Sequence, residues 1–477
     1  MNPTPMPGRN AKYAWSDIDR VEPPKRPVAD RIADFSEVSG PYDEATAQEQ
    51  ASRCILCPNP SCVEACPLDS PIPDLMELTS DGQFKEAAEL LFASYSIPEL
   101  ASHTCVGGRL CERACVLAGK SDPVPVRAIT RFLLDYGWKH GLAEPAVEPA
   151  KDRRVAVIGS GIGGLVAADA LSRRGYAVTV FDSRQNPGGR VMNGLPGFRV
   201  DKELVKRRIE LLKQRGLEFR MGVAFGSDVK LARLRHEFDA VFLAFGLADA
   251  VPLKVPGAEL RGVYQAFQFV TQEVAAAGGP TGPRQPAVNV RGRRVVVLGG
   301  GDTAMDALRI AIRQGAADAL CICSRDADNL SADAEEFSNA REEGGKFLFL
   351  SQPVAVIGNP EGAVAQVRCI RMQADGPAGP GRPGVTPMDG TEFDVPADVV
   401  LVAYGFTAPK LPDRDDFARL VVDGRGFIQV NADQMTNFPG VFAGGSIVRG
   451  PAPLSEVVRD ARRAAAAIDR FLGSPKK

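Results

Sequence analysis

Apolar runs separated by helix-like segments set the pattern of the chain after residue 150. The run VAVI at residues 155–158 is followed by the helix-like LVAADALSRRG and then by a second apolar run, YAVTVFD, which ends at Asp182. A strand, a helix and a strand in this order predict a βαβ unit with parallel strands. RVVVL at residues 294–298, MDALRIAIRQGA and ADALCICSRD repeat the pattern. The sequence therefore predicts an α/β protein with two Rossmann-like units.

Two loop-like stretches and a final helix-like segment divide this part of the chain. LAEPAVEPAKDRR, residues 142–154, is acidic and contains Pro, which predicts a domain boundary near residue 150. VAAAGGPTGPRQPAVNVRG, residues 274–292, predicts a connector between the two units. A return segment begins at Gly405 and leads to VFAGGS, residues 441–446, and to the helix-like PLSEVVRDARRAAAAIDRFLG.

Length and charge narrow the classes of function. With 477 residues, the chain has room for about three domains of ~150 residues. Its 57 Lys and Arg against 59 Asp and Glu leave no basic excess for binding nucleic-acid phosphates. No apolar stretch approaches the ~18 residues of a membrane span, and MNPTPMPGRNAKYAW lacks the apolar core of a signal peptide. We therefore expect a cytoplasmic protein with no nucleic-acid and no membrane partner.

Each α/β unit carries a glycine-rich loop between its first strand and its helix. The first loop, GSGIGG, has Gly159, Gly161 and Gly164 at dinucleotide-fingerprint spacing, and Asp182 ends the next strand. These glycines allow a tight turn and a close approach to a pyrophosphate, and the acid accepts hydrogen bonds from ribose hydroxyls. The second loop is GGGDTA, residues 299–304. Two dinucleotide sites predict an electron relay, for which we assign no acid–base catalytic residue.

The cysteines are clustered, with seven of the ten between Cys54 and Cys115. They form a C-x2-C-x4-C-x3-C-P run and a C-x5-C-x3-C run, and such spacing followed by Pro favours iron–sulfur ligation. Disulfides would need an oxidising compartment and zinc favours two separate thiolate pairs, but both remain alternatives. Cys321 and Cys323 lie at alternate positions of an apolar run, so we predict that they pack in the core without a redox role.

Several segments give the chain a specific resemblance to one family. The N-terminal cysteine run, PGFRVDKELVKRRIELL (196–212), VVVLGGGDTAMDALRIAIRQGA (295–316) and MTNFPGVFAGGSIVRG (435–450) resemble the small (beta) subunit of bacterial glutamate synthase. The N-terminal half of dihydropyrimidine dehydrogenase belongs to the same wider family. The resemblance covers nearly the whole chain.

The resemblance implies three domains. A helical N-terminal domain with two 4Fe-4S clusters would span residues 1–148. An FAD-binding domain would comprise residues 151–285 and 405–477, and an NAD(P)H-binding domain, residues 286–404, would be inserted in it. This arrangement is a helical iron–sulfur domain followed by two Rossmann-like domains.

The resemblance also assigns the cluster ligands. The first cluster would be held by Cys54, Cys57, Cys62 and Cys115. The second would be held by Cys66, Cys105, Cys111 and Thr130, where Thr130 replaces a Glu or Gln of the family. A threonine hydroxyl is a poor iron ligand, so this replacement puts the completeness of the second cluster in question. Two clusters remain the prediction.

The nucleotide sites follow from the same resemblance. FAD is expected against Gly159, Gly161, Gly164, Asp182, Gly188, Gly189, Arg190, Gly445 and Ser446. NAD(P)H is expected against Gly299, Gly301, Asp302, Thr303, Ser324 and Arg325. Arg190 replaces an apolar family residue, Phe245 a Thr, Ser446 an Asp and Ser324 an Arg. Because paired arginines suit the 2′-phosphate of NADPH, the loss at Ser324 leaves NADH and NADPH both open.

The leading functional hypothesis is an electron-transfer subunit. It would oxidise NAD(P)H and pass electrons through FAD and two 4Fe-4S clusters to a larger catalytic subunit, by default the glutamate synthase large subunit. One alternative is a stand-alone NAD(P)H:ferredoxin-type reductase. Another is a non-catalytic scaffold subunit, whose lost function would be marked by the substitutions at Thr130, Phe245, Ser324 and Ser446.

Overall fold

The structure, a computed structural model, describes residues 13–142, 146–247, 249–276, 288–376, 384–411 and 415–473. The first 12 residues of the predicted N-terminal domain lie outside this part. So does most of the connector predicted at 274–292.

The N-terminal part of the described chain is helical. Its α-helices are α1 (Ala14–Asp17), α2 (Val28–Ala33), α3 (Glu44–Ala51), α4 (Ser61–Glu64), α5 (Ile72–Ser80), α6 (Phe84–Ser94), α7 (Pro98–His103) and α8 (Val126–Lys139). Helices α3, α5, α6 and α8 pack together and bury Leu75, Leu91 and Leu133 completely. Asp43 caps α3 by accepting a hydrogen bond from the Thr46 amide at 2.7 Å. Among the described residues, no helix is long and apolar enough to cross a membrane.

The first parallel sheet is formed by two separate parts of the chain. Its strands are β1 (Arg154–Ile158), β2 (Ala177–Asp182), β3 (Glu218–Met221), β4 (Ala240–Leu243) and β14 (Val441–Ala443), in the order β14-β4-β1-β2-β3. The helices of this unit are α9 (Ile162–Arg173), α10 (Gly189–Asn193), α11 (Lys202–Gln214), α12 (Leu231–Glu237), α16 (Ser446–Arg449) and α17 (Leu454–Gly473). Every residue of β4 is buried, as expected for a strand covered on both faces by helices.

The second parallel sheet lies between β4 and β14 in sequence. Its strands are β5 (Val263–Gln265), β6 (Arg294–Leu298), β7 (Asp318–Ile322), β8 (Lys346–Leu348) and β13 (Val399–Val402), in the order β5-β13-β6-β7-β8. Its helices are α13 (Ala266–Ala276), α14 (Asp302–Arg313) and α15 (Ala334–Glu342). Since the chain leaves the first sheet after β4 and returns at β14, the predicted fold class of one Rossmann-like unit inserted in another is confirmed.

Strand β5 shows where the sheets and the predicted intervals differ. It precedes residue 286, yet it pairs in parallel with β13, with Val263 opposite Val400. The second sheet therefore contains residues that the sequence assigned to the FAD-binding interval. The pairing of a three-residue strand depends on backbone hydrogen bonds to a partner more than 130 residues away, which composition does not reveal. The predicted intervals as a whole stay predictions.

A small antiparallel sheet packs against the second unit, and the sequence analysis did not predict it. Its strands are β9 (Ser351–Gly358), β10 (Val364–Ala374), β11 (Val385–Pro387) and β12 (Phe393–Pro396), and β10 pairs with the other three. Val367 and Cys369 on β10 are fully buried and join a cluster with Val296 and Val400 of the second parallel sheet. This sheet thus covers one face of the second unit.

A buried ion pair joins the helical domain to the first α/β unit. Glu99 on α7 and Arg208 on α11 are both completely buried, and the guanidinium pairs with both carboxylate oxygens, with Nη2 3.1 Å from Oε2. Two charges without solvent contact depend on each other for compensation. The pair therefore fixes how α7, and the cysteines that follow it, sit on the first unit.

We expect Glu99→Gln to lower the melting temperature strongly, because it leaves the Arg208 charge buried and uncompensated, at a cost of about 3–5 kcal/mol. Thermal unfolding followed by circular dichroism measures this change. The matched control is Glu89→Gln, since Glu89 pairs with Lys85 at 3.9 Å and both side chains are more than half exposed. Equal melting temperatures for the two variants would contradict the role of the pair.

Candidate functional site

A large cavity of about 1170 Å³ lies where the two α/β units meet. Both glycine-rich loops open into it, together with residues that follow β4, β13 and β14. Thirteen of the fifteen predicted nucleotide-site residues line it: Gly159, Gly161, Asp182, Gly189, Arg190, Gly299, Gly301, Asp302, Thr303, Ser324, Arg325, Gly445 and Ser446. The cavity therefore brings both predicted nucleotide sites together.

Each glycine of the first loop is required for a different physical reason. Gly159 has a φ of +104°, and a Cβ there would lie 2.4 Å from the Ala244 carbonyl oxygen. Gly164 lies outside the cavity lining, and its Cβ would lie 1.8 Å from the carbonyl oxygen of Gly159, so it packs helix α9 against the loop. Gly161 has an ordinary φ of −69°, and the nearest atom to a Cβ would be the Gly189 Cα at 4.0 Å. The protein itself leaves room at Gly161, as a cradle for a bound pyrophosphate requires.

Asp182 is positioned at the end of β2 by hydrogen bonds to the first loop. One carboxylate oxygen accepts from the Ser160 amide at 2.7 Å and from the Ser160 hydroxyl at 2.6 Å, and the other accepts from the Arg184 amide at 2.9 Å. Each carboxylate oxygen can accept two hydrogen bonds, so one position stays available for a ribose hydroxyl. The geometry fits the role predicted from the fingerprint.

The segment Gly188–Gly189 lies directly against the first loop. The Gly188 amide donates to the Ser160 carbonyl at 2.9 Å, and a Cβ on Gly189 would lie 2.4 Å from the Gly161 Cα. Gly188 itself packs under Met192 and does not line the cavity. The two glycines thus bring the start of α10 to the side of the cavity formed by the first loop.

Gly445 and Ser446 line the cavity near the first loop, since a Cβ at Gly445 and one at Gly163 would each lie 3.0 Å from the same Val457 methyl group. Gly445 has a φ of +73°, and its amide donates to Asp460 on α17 at 3.1 Å. Asp460 also accepts from Arg449 Nε at 2.7 Å and is almost fully buried. The Asp460 carboxylate of the last helix therefore holds this loop through the Gly445 amide. Ser446, which replaces an Asp of the family, contributes no charge of its own.

Arg190 places a positive charge inside the cavity wall. Its guanidinium lies over the Phe406 ring at 3.7 Å and near the Phe267 ring at 4.9 Å, and it donates to the Leu247 carbonyl. Burial lowers its pKa to about 10, so the group stays protonated at neutral pH. Phe267 follows β5 and Phe406 follows β13, and nothing in the sequence indicated that they meet Arg190.

The second loop repeats the construction of the first. Gly299 has a φ of +131°, and a Cβ there would lie 2.5 Å from the Ala403 carbonyl oxygen. Cys321 Sγ donates to the Gly299 carbonyl at 3.0 Å, and both Cys321 and Cys323 are buried beneath the loop. Asp302 at the start of α14 accepts from the Asp333 amide at 2.7 Å. The packing position predicted for the two cysteines fits this geometry.

Ser324 and Arg325 follow β7 and line the cavity, and their position facing a nucleotide ribose stays a prediction. Asp326 is held in a short turn, where its carboxylate accepts from the Asn329 amide at 3.0 Å and from the Asn329 side chain at 2.8 Å. The turn keeps this negative charge next to Arg325. A single arginine beside a fixed carboxylate would make a weaker site for a 2′-phosphate than two adjacent arginines.

Arg199 is a cavity residue that the sequence analysis did not assign. It lies on the turn before α11, with Nη1 3.2 Å from Asp306 of α14 and Nε 3.1 Å from Glu336 of α15. It therefore links the first unit to the helix that follows the second glycine-rich loop. Arg199 belongs to the segment PGFRVDKELVKRRIELL, which carries part of the family resemblance, but nothing in that segment indicated which residues Arg199 contacts.

Four cysteines assigned to the first cluster surround one small, nearly apolar pocket. Cys54, Cys57, Cys62 and Cys115 line it together with Ile72 and Met76. Burial raises the pKa of the Cys54 thiol to about 11 and also raises that of Cys62. Deprotonated thiols in such a pocket need positive charge, which the iron atoms of a cluster supply. The donor set and its surroundings fit a 4Fe-4S cluster.

The remaining three cysteines form a second group. Burial raises the pKa of Cys105 to about 11 and raises that of Cys111, and the neighbouring Cys66 thiolate adds to both shifts. Thr130 is buried on α8, one turn after Arg127. Within the described part of the chain, no three His, Cys, Asp or Glu side chains converge on a single-ion site. Three neighbouring thiols fit a cluster, whereas the fourth ligand stays a prediction.

Comparison with known proteins shows which family the chain belongs to. Residues 31–142 match the family described as dihydropyrimidine dehydrogenase domain II, 4Fe-4S cluster, and residues 153–467 match pyridine nucleotide-disulphide oxidoreductase. The glutamate synthase [NADPH] small chain of Escherichia coli is 36% identical over 96% of this chain and 98% of its own, and that of Halomonas elongata is 37% identical over 97% and 98%. The putative oxidoreductase AegA of Escherichia coli is 36% identical over 95% of this chain and 70% of its own.

Solved structures support the fold of the two α/β units. FprA from Mycobacterium tuberculosis in complex with NADPH superposes with a TM-score of 0.56 at 20% identity, covering 68% of this chain and 85% of FprA. The thioredoxin reductase of T. acidophilum gives a TM-score of 0.50 at 18% identity and covers 68% of this chain. The pair of inserted Rossmann-like units is therefore shared with other reductases.

We expect Gly161→Val to release most of the bound FAD and to leave the iron content unchanged, because the side chain would fill the cradle without disturbing the helical domain. Flavin absorbance and iron analysis of the purified protein measure both effects. The control is Gly424→Val, at an exposed turn glycine with no atom within 4 Å of a Cβ. Unchanged FAD content in Gly161→Val would refute the assignment of the first loop.

Proposed function

Because the chain belongs to the glutamate synthase small chain family, we propose that it delivers electrons from NAD(P)H, through FAD and two 4Fe-4S clusters, to a larger catalytic subunit. The family makes the chain an NAD(P)H-dependent oxidoreductase of the flavin and iron–sulfur class. The glutamate synthase large subunit is the default partner. The cytoplasmic location expected from the sequence stays a prediction.

One observation carries the proposal. The two glycine-rich loops open into one cavity, and Thr104 and Val106, the neighbours of Cys105, line the same cavity. A nicotinamide ring, a flavin and the second cluster would thus occupy adjoining positions. Such contiguity is what transfer of electrons from nucleotide to flavin to cluster requires, since the cofactors carry the chemistry and the protein sets their positions.

The chain's own residues orient the nucleotides. Gly161 and the start of α10 leave room for the FAD pyrophosphate, and Asp182 faces its ribose. Gly301 and the start of α14 form the matching cradle for NAD(P)H, with Ser324 and Arg325 at the ribose. FAD, when bound, supplies the conversion of a two-electron hydride transfer into single-electron steps. The protonated Arg190 adds positive charge near the anionic cofactors.

The positions of the cysteines suggest an order for the two clusters. The second group adjoins the nucleotide cavity through Cys105, whereas the first group lines a separate pocket. Leu56 and Val116, next to Cys57 and Cys115, are 40% and 46% exposed. Exposed apolar side chains beside a redox centre are suited to docking of a partner protein. We therefore place the second cluster nearer the flavin and the first cluster nearer the catalytic subunit.

Resemblance to AegA supports a second candidate, a reductase that serves another acceptor. That protein is named a putative oxidoreductase and extends beyond the region shared with this chain. The two candidates share the route from NAD(P)H to the clusters and differ only in the final acceptor. Purification from the native host, with identification of any large subunit that remains bound, distinguishes them.

We expect Cys54→Ser to break the relay after flavin reduction. The parent protein, isolated without oxygen, should carry between about four and eight irons, and the variant should lose about four of them, since one cluster holds four. Flavin reduction by NAD(P)H should persist, while electron transfer to the bound large subunit should fall at least tenfold.

Iron analysis, stopped-flow absorbance and turnover of the complex measure these three quantities. Cys369→Ser is the control, because Cys369 is a cysteine that belongs to neither cluster group and lies buried in the antiparallel sheet. Stoichiometric zinc without iron in the parent, or unchanged electron transfer in Cys54→Ser, would overturn the proposal.

We expect the parent protein to discriminate little between NADPH and NADH, or to favour NADH, because Ser324 and Asp326 flank the single Arg325. Ser324→Arg should shift the preference toward NADPH by roughly tenfold, as a charge-assisted hydrogen bond to the 2′-phosphate implies. Rates of flavin reduction with each nucleotide measure the preference. Ser227→Arg, which adds a charge at an exposed loop outside the cavity, is the control.

A parent protein strongly selective for NADPH would contradict this prediction and would mean that other groups bind the 2′-phosphate. Absence of flavin reduction with either nucleotide would favour the non-catalytic scaffold.

A further inference from the structure

The second glycine-rich loop rests on a neighbouring segment of its own unit, residues 330–332. The amides of Ser331 and Ala332 both donate to the Gly300 carbonyl at 2.9 Å, and the Ser331 hydroxyl donates to the same oxygen at 2.9 Å. Ser331 also lines the cavity beside Gly301. The position of this segment therefore affects the shape of the loop that faces the nucleotide.

A residue of the helical domain holds this segment in place. The guanidinium of Arg109 donates to the carbonyls of Leu330 at 3.4 Å, Ser331 at 3.0 Å and Ala332. Three consecutive carbonyls thus converge on one side chain. The planar, five-donor guanidinium suits such an arrangement, whereas a lysine ammonium offers a point charge with fewer fixed directions.

Arg109 belongs to the loop that carries two cysteines of the second group. It lies between Cys105 and Cys111 in sequence. The adjacent Glu112 accepts a hydrogen bond from the Arg127 amide at 3.1 Å, and the Arg127 guanidinium pairs with Glu335 at 2.8 Å. The cysteine loop and the nucleotide unit are therefore joined at two points, one through Arg109 and one through Arg127.

We propose that Arg109 is a positioning residue that couples the second 4Fe-4S site to the pyridine-nucleotide site. The inference rests on the proposed function, because it takes residues 105–111 to hold a cluster and residues 299–304 to bind NAD(P)H. A bound cluster would fix the conformation of the cysteine loop and therefore the position of Arg109. Arg109 holds residues 330–332 through their carbonyls, and the amides of Ser331 and Ala332 hold the Gly300 carbonyl. By linkage, if a bound cluster favours nucleotide binding, a bound nucleotide must favour cluster binding by the same free energy.

The first test measures nucleotide affinity without turnover. The dissociation constants of NADP⁺ and NAD⁺ are determined by calorimetry on anaerobically purified parent, Arg109→Ala and Arg113→Ala proteins. Arg113 is a matched control, because it is an exposed arginine of the same loop with no hydrogen bond or ion pair to residues 330–332 among the described contacts. We expect Arg109→Ala to weaken binding of both nucleotides about five- to tenfold, and Arg113→Ala to leave it unchanged.

The second test compares the parent protein with Arg109→Ala and measures the coupling in the opposite direction, from nucleotide to cluster. Iron release to an excess of a chelator is followed with and without saturating NADP⁺. We expect the nucleotide to slow the release of part of the iron about five- to tenfold, and Arg109→Ala to abolish this protection. If Arg109→Ala is isolated without the nucleotide-protected iron, the effect of NADP⁺ on iron release from the parent protein alone decides whether the two sites are coupled.

The outcomes separate this inference from the proposed function. A parent protein that lacks iron or binds neither nucleotide would overturn the proposed function. A parent protein that holds iron and binds nucleotide, but whose iron release is insensitive to NADP⁺, would overturn the coupling alone. Equal nucleotide affinities of Arg109→Ala and Arg113→Ala would overturn it as well.

Discussion

Close backbone contact at two matching glycines is the constraint on which the nucleotide cavity depends. Gly159, after β1, lies against the carbonyl that follows β4, and Gly299, after β6, lies against the carbonyl that follows β13. A Cβ at either position would approach a carbonyl oxygen to 2.4 or 2.5 Å. Because each contact joins neighbouring strands at their carboxyl ends, it sets where the loop turns and which way the next helix points. The same construction, used twice, produces two cradles that share one cavity.

Charged side chains fix how the helical domain and the first unit meet the second unit. Several arginines reach α15 or the segment before it, and their partners are acids or backbone carbonyls: Arg31 with Glu342, Arg127 with Glu335, Arg199 with Glu336, and Arg109 with residues 330–332. Such contacts depend on direction and distance more than apolar packing does. The placement of the second glycine-rich loop relative to the cysteines is thus specified by polar geometry.

The departures from the family pattern are concentrated around the cavity. Arg190, Phe245, Ser324 and Ser446 all line it. By the resemblance, Arg190 adds a positive charge and Ser446 removes a negative one on the flavin side, while Ser324 removes a positive charge on the nicotinamide side. The expected effect is a stronger positive potential where the flavin pyrophosphate would lie and a weaker one where a 2′-phosphate would lie. Such a redistribution would change nucleotide preference while leaving the fold intact.

The sequence by itself determined the periodic elements and the local motifs. Strand β6 has the predicted limits, and the last helix begins at Leu454, within the segment PLSEVVRDARRAAAAIDRFLG that the sequence predicts to be helical. The glycine loops and cysteine runs could be assigned because their function requires fixed spacing along the chain. Tertiary structure alone decided which distant residues meet. Arg109 with residues 330–332, Arg190 with Phe267 and Phe406, and β5 with β13 are joined by contacts across many residues. An arginine or a three-residue strand carries no local signal of its partner, since the partner is chosen by the packing of whole domains and not by neighbouring residues.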